Sequence, residues 1–407
     1  RAARWAAISP STAALLGLDT QTLASEATLQ LCNGITPAPF PSVAMVYSGH
    51  QFGSYNPQLG DGRAMLLGET SNAGIAYELQ LKGAGPTPYS RQGDGRAVLR
   101  SSIREFLCSE AMHGLGIPTT RALALITSNE PVYREQVETG AMVLRVSPSH
   151  IRFGSFEYFF YTQQQDALQA LADFVIDHHY PECREEKNPY AAFLQQVVTR
   201  TAKLIAHWQS VGFAHGVMNT DNMSILGETF DSGPFGFLDE YNPHFICNHS
   251  DHTGRYAFAQ QPSIGLWNCN ALAHALSPLV PVEYLHEILS SYQPAIEKHY
   301  LQLMRGKLGL ETVQGDDAAL LGQLLDLMHK NHIDYTIFFR MLCDFSTSTN
   351  NPSLRDLFAD RDAFDQWQHQ YKARLAAENS IDTERSQRMK TFNPKFVLRN
   401  YLAQQAI

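Results

Sequence analysis

Residues 215–222 read His-Gly-Val-Met-Asn-Thr-Asp-Asn, and residues 231–235 read Asp-Ser-Gly-Pro-Phe. Ahead of both lies a stretch in which Tyr190, Leu194, Val197, Val198, Leu204, Ile205, Trp208 and Val211 recur at helical spacing before Gly212. That periodicity predicts an amphipathic helix over 190–211, ended by its glycine, with two polar loops behind it. Asn222 and Asp231 offer hard oxygen donors of the kind that hold Mg²⁺ together with phosphate oxygens. Taken singly, each loop is equally well read as a polar turn.

Working outward, residues 64–69 and 75–82 flank a turn-like run at 70–74. In the second, Ile75, Tyr77, Leu79 and Leu81 alternate with Glu78, Gln80 and Lys82, the period of a half-buried strand. Runs 121–126 and 141–146 are further strand candidates. Between these groups Leu99, Ile103, Phe106, Leu107 and Ala111 predict a helix whose apolar face is theirs, stopped by Gly114 and by Gly116-Ile117-Pro118. Glu105 falls on that helix. Before the first strand stand Gly49-His50-Gln51-Phe52-Gly53 and Gly60-Asp61-Gly62-Arg63, where glycines let backbone N–H groups approach phosphates. Simple turns are the competing reading. Beyond about residue 162 the pattern is helical, with helices expected over 264–277, 282–305 (broken at Pro294), 319–330, 334–344 and 361–378. The fold class expected is α+β, as a two-lobed protein with a β-rich lobe over 1–160 and a helical lobe over 161–407.

The order of these features narrows the chemistry. A glycine-rich turn, a strand lysine (Lys82), a helix glutamate (Glu105), a His and an Asn seven residues apart (His215, Asn222) and an Asp-x-Gly (Asp231) follow one another as in the protein kinase fold. One position departs from it. A kinase places its proton-accepting Asp two residues after the His; Val217 stands there, and the carboxylate has moved to Asp221, beside Asn222. Arg145 and Arg152, seven residues apart, are either bidentate phosphate ligands or ion pairs across the lobe boundary. Asp94-Gly95-Arg96 is expected to cap the Glu105 helix. Residues 248–252 (Asn-His-Ser-Asp-His) read as a hydrogen-bonded loop rather than a ligand cluster. Cys32, Cys108, Cys183, Cys247, Cys269 and Cys343 form no CxxC and read as buried thiols of a reducing compartment.

The 407 residues carry 31 basic and 40 acidic side chains, a net charge of −9 that argues against a general nucleic-acid binder. No apolar run approaches the roughly 18 residues that span a bilayer, and no leader pattern is visible. A monomeric cytoplasmic protein without membrane or nucleic-acid partners is expected.

Long stretches are similar to the selenoprotein O family (SelO/YdiU proteins): YSGHQFGSYNPQLGDGRAMLLG at 47–68, LQLKGAGPTPYSRQGDGRAVLRSSIR at 79–104, HGVMNTDNMSILGETFDSGPFGFLD at 215–239 and NPKFVLRN at 393–400. The resemblance implies a kinase-like fold that transfers AMP from ATP to Ser, Thr or Tyr hydroxyls of proteins, with ATP bound in a flipped orientation and pyrophosphate leaving. UMP transfer with Mn²⁺ is a further implied activity. Carried over by motif, Lys82 and Glu105 organise the phosphates, Arg145 and Arg152 hold the far phosphates, and Gly60, Gly62, Arg63, Asp94 and Gly95 line the nucleotide site. Asp221 is the implied proton acceptor, and Asn222 and Asp231 the implied Mg²⁺ ligands. Ser232 stands where the family usually has tyrosine. An ordinary phosphotransferase and a non-catalytic nucleotide-binding pseudokinase are the alternatives.

Overall fold

In the computed structural model of the chain, which describes residues 3–35 and 41–407, the alternating run 75–82 lies inside a six-stranded antiparallel sheet. In chain order the first strands are β1 (Arg4–Ile8), β2 (Gly49–Gln51), β3 (Ser54–Asn56), β4 (Ala64–Asn72), β5 (Ile75–Lys82), β6 (Ala97–Val98), β7 (Arg121–Tyr133) and β8 (Val137–Ser147). The sheet runs β1-β7-β8-β5-β4 with β6 on β8, while β2 and β3 form a separate hairpin. β7 and β8 extend several residues past their apolar runs, as a hairpin.

Side-chain alternation sorts the sheet into two faces. Tyr77 and Leu81 pack with Leu123, Leu144 and Val146 under three short helices, α1 (Pro10–Leu15), α2 (Thr20–Leu23) and α3 (Glu26–Cys32), none of which periodicity had suggested. Gln80 and Lys82 point to the other face, where Gln80 pairs in register with Arg145 of β8. Here α4 (Leu99–Gly114) crosses the sheet, matching the expected span. Its burial corrects the expectation. Leu99, Ile103 and Phe106 are only partly buried, against Ala122, Leu125, Ala141 and Val143. The most buried positions are Ser102, Glu105, Cys108, Ser109 and Met112. The helix is enclosed on two sides: by the sheet and, through Cys108 and Met112, by the helical core.

That core belongs to α5 (Phe153–Tyr161), α6 (Gln165–His179), α7 (Pro189–Val211), α8 (Gln261–Ala275), α9 (Val282–Ser290) and α10 (Tyr292–Leu308). α7 is delimited by its sequence: Asn188 caps the Ala191 N–H, Pro189 fills the first turn, and Gly212 adopts φ 71°. The break expected at Pro294 falls at Ser291 instead. Pro294 sits in the first turn of α10, where its missing N–H removes no helical hydrogen bond. Further helices, among them Asp317–Lys330, Tyr335–Leu342 and Arg361–Ala377, enclose a second apolar cluster. Five cysteines are buried, Cys247 is partly so, and all are free thiols; burial pushes Cys108 and Cys247 up to about 12. No helix among the described residues is long and apolar enough to cross a membrane.

Lys307 is 2% exposed, its ammonium over the rings of Phe339 and Tyr335. Burial pushes it down from 10.5 to about 7. Its neutral form is favoured in the folded state, so the folded state loses stability as pH falls from 10.5 to about 7, and the full penalty holds below that. Lys307→Met is expected to raise the thermal midpoint at and below neutral pH. The gap should close as pH rises towards 10.5 in unfolding scans across that range.

Candidate functional site

The sheet's polar face and the loops following α7 meet at a cleft of about 930 Å³. Gly60, Gly62, Arg63, Lys82, Asp94, Gly95, Glu105, Arg145, Asp221, Asn222 and Asp231 all line it. Arg152 does not. Residues spread from Tyr47 to Gly233 are thus brought to one cavity, with its charged groups arranged as a network rather than as separate ligands.

At the centre is Arg145, 3% exposed. Its Nε donates to Glu105 Oε1 at 2.5 Å, its Nη1 to Gln80 Oε1 at 3.1 Å, and its Nη2 to Asp231 Oδ1. Lys82 Nζ donates to Glu105 Oε2 at 2.7 Å and to Asp231 Oδ1 at 3.1 Å. Arg152 lies beneath the cleft floor, 1% exposed and between the rings of Tyr47 and Phe230. Its Nη1 donates to the Asp221 carbonyl at 2.9 Å and to Asp231 Oδ2 at 3.3 Å. It therefore ties the backbone of one polar loop to the side chain of the other. Asp61 closes the network: its Oδ2 accepts from Gln80 Nε2 at 3.3 Å and from the Met45 N–H at 3.1 Å, and its Oδ1 stands 3.6 Å from Arg152 Nη2. Desolvation works against ionisation of Glu105 and Asp231. The adjacent Arg145 and Lys82 outweigh it, holding Glu105 low and, with Arg152, Asp231 well below the usual carboxylate range.

Asp231 has φ +49°, a left-handed conformation uncommon outside glycine and better tolerated by Asp than by most residues. Its three cationic partners stabilise this geometry. His215 is structural. Its Nε2 bonds the Phe230 carbonyl at 2.7 Å, its Nδ1 faces the Val217 N–H at 3.3 Å, and its ring stacks on Trp208. Asn222 Nδ2 donates to the Val217 carbonyl at 3.0 Å, which leaves the amide oxygen for the cleft. Burial pushes Asp221 up to about 6, opposed by the Gln51 hydrogen bond and the Arg152 charge. Its Oδ1 is buried with no partner.

The glycines divide into two groups. Gly60, at φ +107°, packs on Tyr89, and a Cβ on Gly95 would lie 2.0 Å from the Gly85 carbonyl oxygen, so both shape the cleft wall. Asp94 does not cap α4: the N-cap position is Val98, with no side-chain cap, and Asp94 instead bonds the Arg96 N–H and pairs with Arg134. Gly49 and Gly53 do not line the cleft; their run belongs to the β2–β3 hairpin, packed on the loop carrying Asp221. Gln51 reaches the cleft and Asp221 from that hairpin. It and Asp61 escaped attention in the sequence, although both stand inside the two quoted glycine-rich runs. Residues 248–252 form the expected hydrogen-bonded loop, in which Asp251 accepts from Arg255 and Tyr256 N–H groups. Among the described residues no group of three or more His, Cys, Asp or Glu side chains could hold a metal ion.

The chain matches the family described as protein adenylyltransferase SelO over residues 3–407. It is 57% identical to the protein nucleotidyltransferase YdiU of Aliivibrio salmonicida, over 92% of this chain and 77% of that protein. The proteins of the same name from Myxococcus xanthus and Pseudomonas fluorescens are 54% and 55% identical, each over 100% of this chain and 84% of theirs.

Removing one member of a buried ion network leaves the others uncompensated. Arg145→Leu is expected to destabilise folding by about 3–5 kcal/mol. Lys82→Met should cost clearly less, because its ammonium is partly exposed and Arg145 and Arg152 still face Asp231. Chemical denaturation of the two variants checks the order.

Proposed function

The chain belongs to the protein adenylyltransferase SelO family, enzymes that transfer nucleotides to proteins, and on that premise we propose how its cleft performs the transfer. The sheet with α4 and the helical remainder, divided near residue 160, act as the two lobes of a kinase-like fold, with ATP between them. The nucleotide is AMP, and the acceptors are Ser, Thr or Tyr hydroxyls. One observation carries this reading: Asp221 lines the cleft beside Asn222, its carboxyl lifted by burial to about 6, while Val217 occupies the position of a kinase base. A carboxylate so placed accepts a proton from a hydroxyl that approaches a reversed ATP.

In the proposed reaction the acceptor oxygen forms a bond to the α-phosphorus and gives its proton to the Asp221 carboxylate. The bond from the α-phosphorus to the bridging oxygen breaks, and pyrophosphate leaves with the electron pair. Asp221 contributes about 10²–10⁴-fold as general base. Lys82, positioned by Glu105, contacts the phosphates, and Arg63, Asp94 and Gly95 border them. Arg145 reaches the cleft from below. Arg152 acts by holding Asp221 and Asp231 in register.

Divalent metal suits this site. Lys82, Arg145 and Arg152 already face Glu105, Asp231 and Asp61, so a triphosphate would enter with little unpaired positive charge from this cluster. Asn222 Oδ1 and the deprotonated Asp231 carboxylate are the hard oxygen donors that would hold Mg²⁺ or Mn²⁺, the other ligands being phosphate and water. Bound there, the cation would neutralise charge developing on the phosphates.

Incubation with ATP labelled at the α-phosphate should transfer label to protein, and γ-label should not be transferred. The opposite outcome excludes AMP transfer. Asp221→Asn should lower the rate by about 10²–10⁴-fold with nucleotide binding retained. Asp231→Ala should abolish metal-dependent nucleotide binding and labelling together, both followed by filter binding.

A further inference from the structure

Gln51 belongs to none of the roles assigned above, yet it touches the carboxylate on which they converge. Its Nε2 donates to Asp221 Oδ2 at 3.2 Å, and its Oε1 faces Asn56 Nδ2 at 3.5 Å. That second contact orients the amide: the reverse orientation would set a carbonyl oxygen against a carboxylate. The other oxygen, Oδ1, is buried without a partner, so Gln51 supplies the side-chain hydrogen bond that sets the carboxylate's rotation.

The hairpin presenting Gln51 is fastened to the loop it serves. The His50 N–H donates to Thr220 Oγ1 at 2.7 Å, and the Phe52 N–H to Asn219 Oδ1 at 3.3 Å and to Tyr256 Oη at 3.0 Å. Tyr256 Oη itself donates to Asn219 Oδ1 at 2.6 Å. On its outer side His50 Nδ1 meets the fully buried Glu157 Oε1 at 2.5 Å. The approach is close enough to require glycine, since a Cβ on Gly49 would lie 2.7 Å from Asp221 Oδ1. Gly49 thus walls one side of the carboxylate, while Gln51 holds its other oxygen.

We infer that Gln51 is a positioning residue for nucleotide transfer: through Nε2 it fixes the rotation of the Asp221 carboxylate at the cleft. The inference rests on Asp221 being the proton acceptor. The hairpin holds that carboxylate from outside both polar loops, and a misaligned general base loses rate without loss of nucleotide binding.

The test compares Gln51→Met, which keeps length and removes the donor, with Asp221→Asn and the double variant in the full chain. Steady-state AMP transfer is measured at varied ATP, with thermal midpoints recorded alongside. Gln51→Met is expected to lower kcat by roughly 10- to 100-fold with KM for ATP and the thermal midpoint little changed. In the Asp221→Asn background the same change should have no further effect. Gln51→Glu is a second variant of the same shape, and it should also lose kcat by setting a second carboxylate beside Asp221. If Asp221→Asn is inactive but Gln51→Met transfers AMP at the normal rate, the positioning role is overturned while the base assignment stands. A Gln51→Met defect that appears in KM for ATP, or that persists undiminished in the Asp221→Asn background, also overturns it. Full activity of Asp221→Asn overturns the base assignment and this inference with it.

Discussion

The buried contact of the Arg145 guanidinium with Glu105 and Asp231 is the interaction on which the remaining geometry depends. It joins β8 of the sheet, the crossing helix α4 and the loop at 231. A buried ion network is weak evidence for stability, because desolvation consumes most of the Coulomb attraction. Its effect is geometric: each charge has one low-energy place, and moving any member leaves another unpaired in a medium of low dielectric. Lys82, Arg152 and Asp61 extend the constraint to the cleft's lip and floor.

Two kinds of support converge on the adjacent residues Asp221 and Asn222. From the sheet side, Arg152 holds the Asp221 carbonyl and the Asp231 carboxylate together. From the other side, the β2–β3 hairpin holds Thr220, Asn219 and the Asp221 carboxylate. Asn222 is set by its own loop, through Val217. Asp231 is held ionised by surrounding cations, whereas burial lifts Asp221 to about 6. Two carboxylates of one cleft are thus held in opposite environments, one kept ionised and one pushed towards its neutral form.

Much of this was legible in the sequence, for a reason that differs from feature to feature. The spans of α4 and α7 followed from apolar periodicity and from Gly212, both local properties. That Lys82, Glu105, Asn222 and Asp231 meet at one cleft was legible from their order and spacing. The buried face of α4 was not legible: its positions include Ser102, Glu105 and Ser109, which are buried by a charge network and not by their own hydrophobicity. The short helices α1 to α3 lay below the length at which periodicity speaks. Pro294 was misplaced because a proline in a helix's first turn resembles a break.

The sequence by itself determined the spans of α4 and α7, the order of the polar motifs and the displacement of the carboxylate from position 217 to 221, since these depend on identity and spacing along the chain. Tertiary structure alone decided that Arg145 is the hub and that Arg152 lies beneath the cleft, outside its lining. It also set the Gly49–Gly53 run on the Asp221 loop. Those outcomes depend on contacts between residues as far apart as Gln51 and Asp221, 170 positions along the chain. Charge and hydrogen-bond partners are selected by proximity after folding, and no local pattern encodes which of several arginines, glycines or glutamines will arrive beside a given carboxylate.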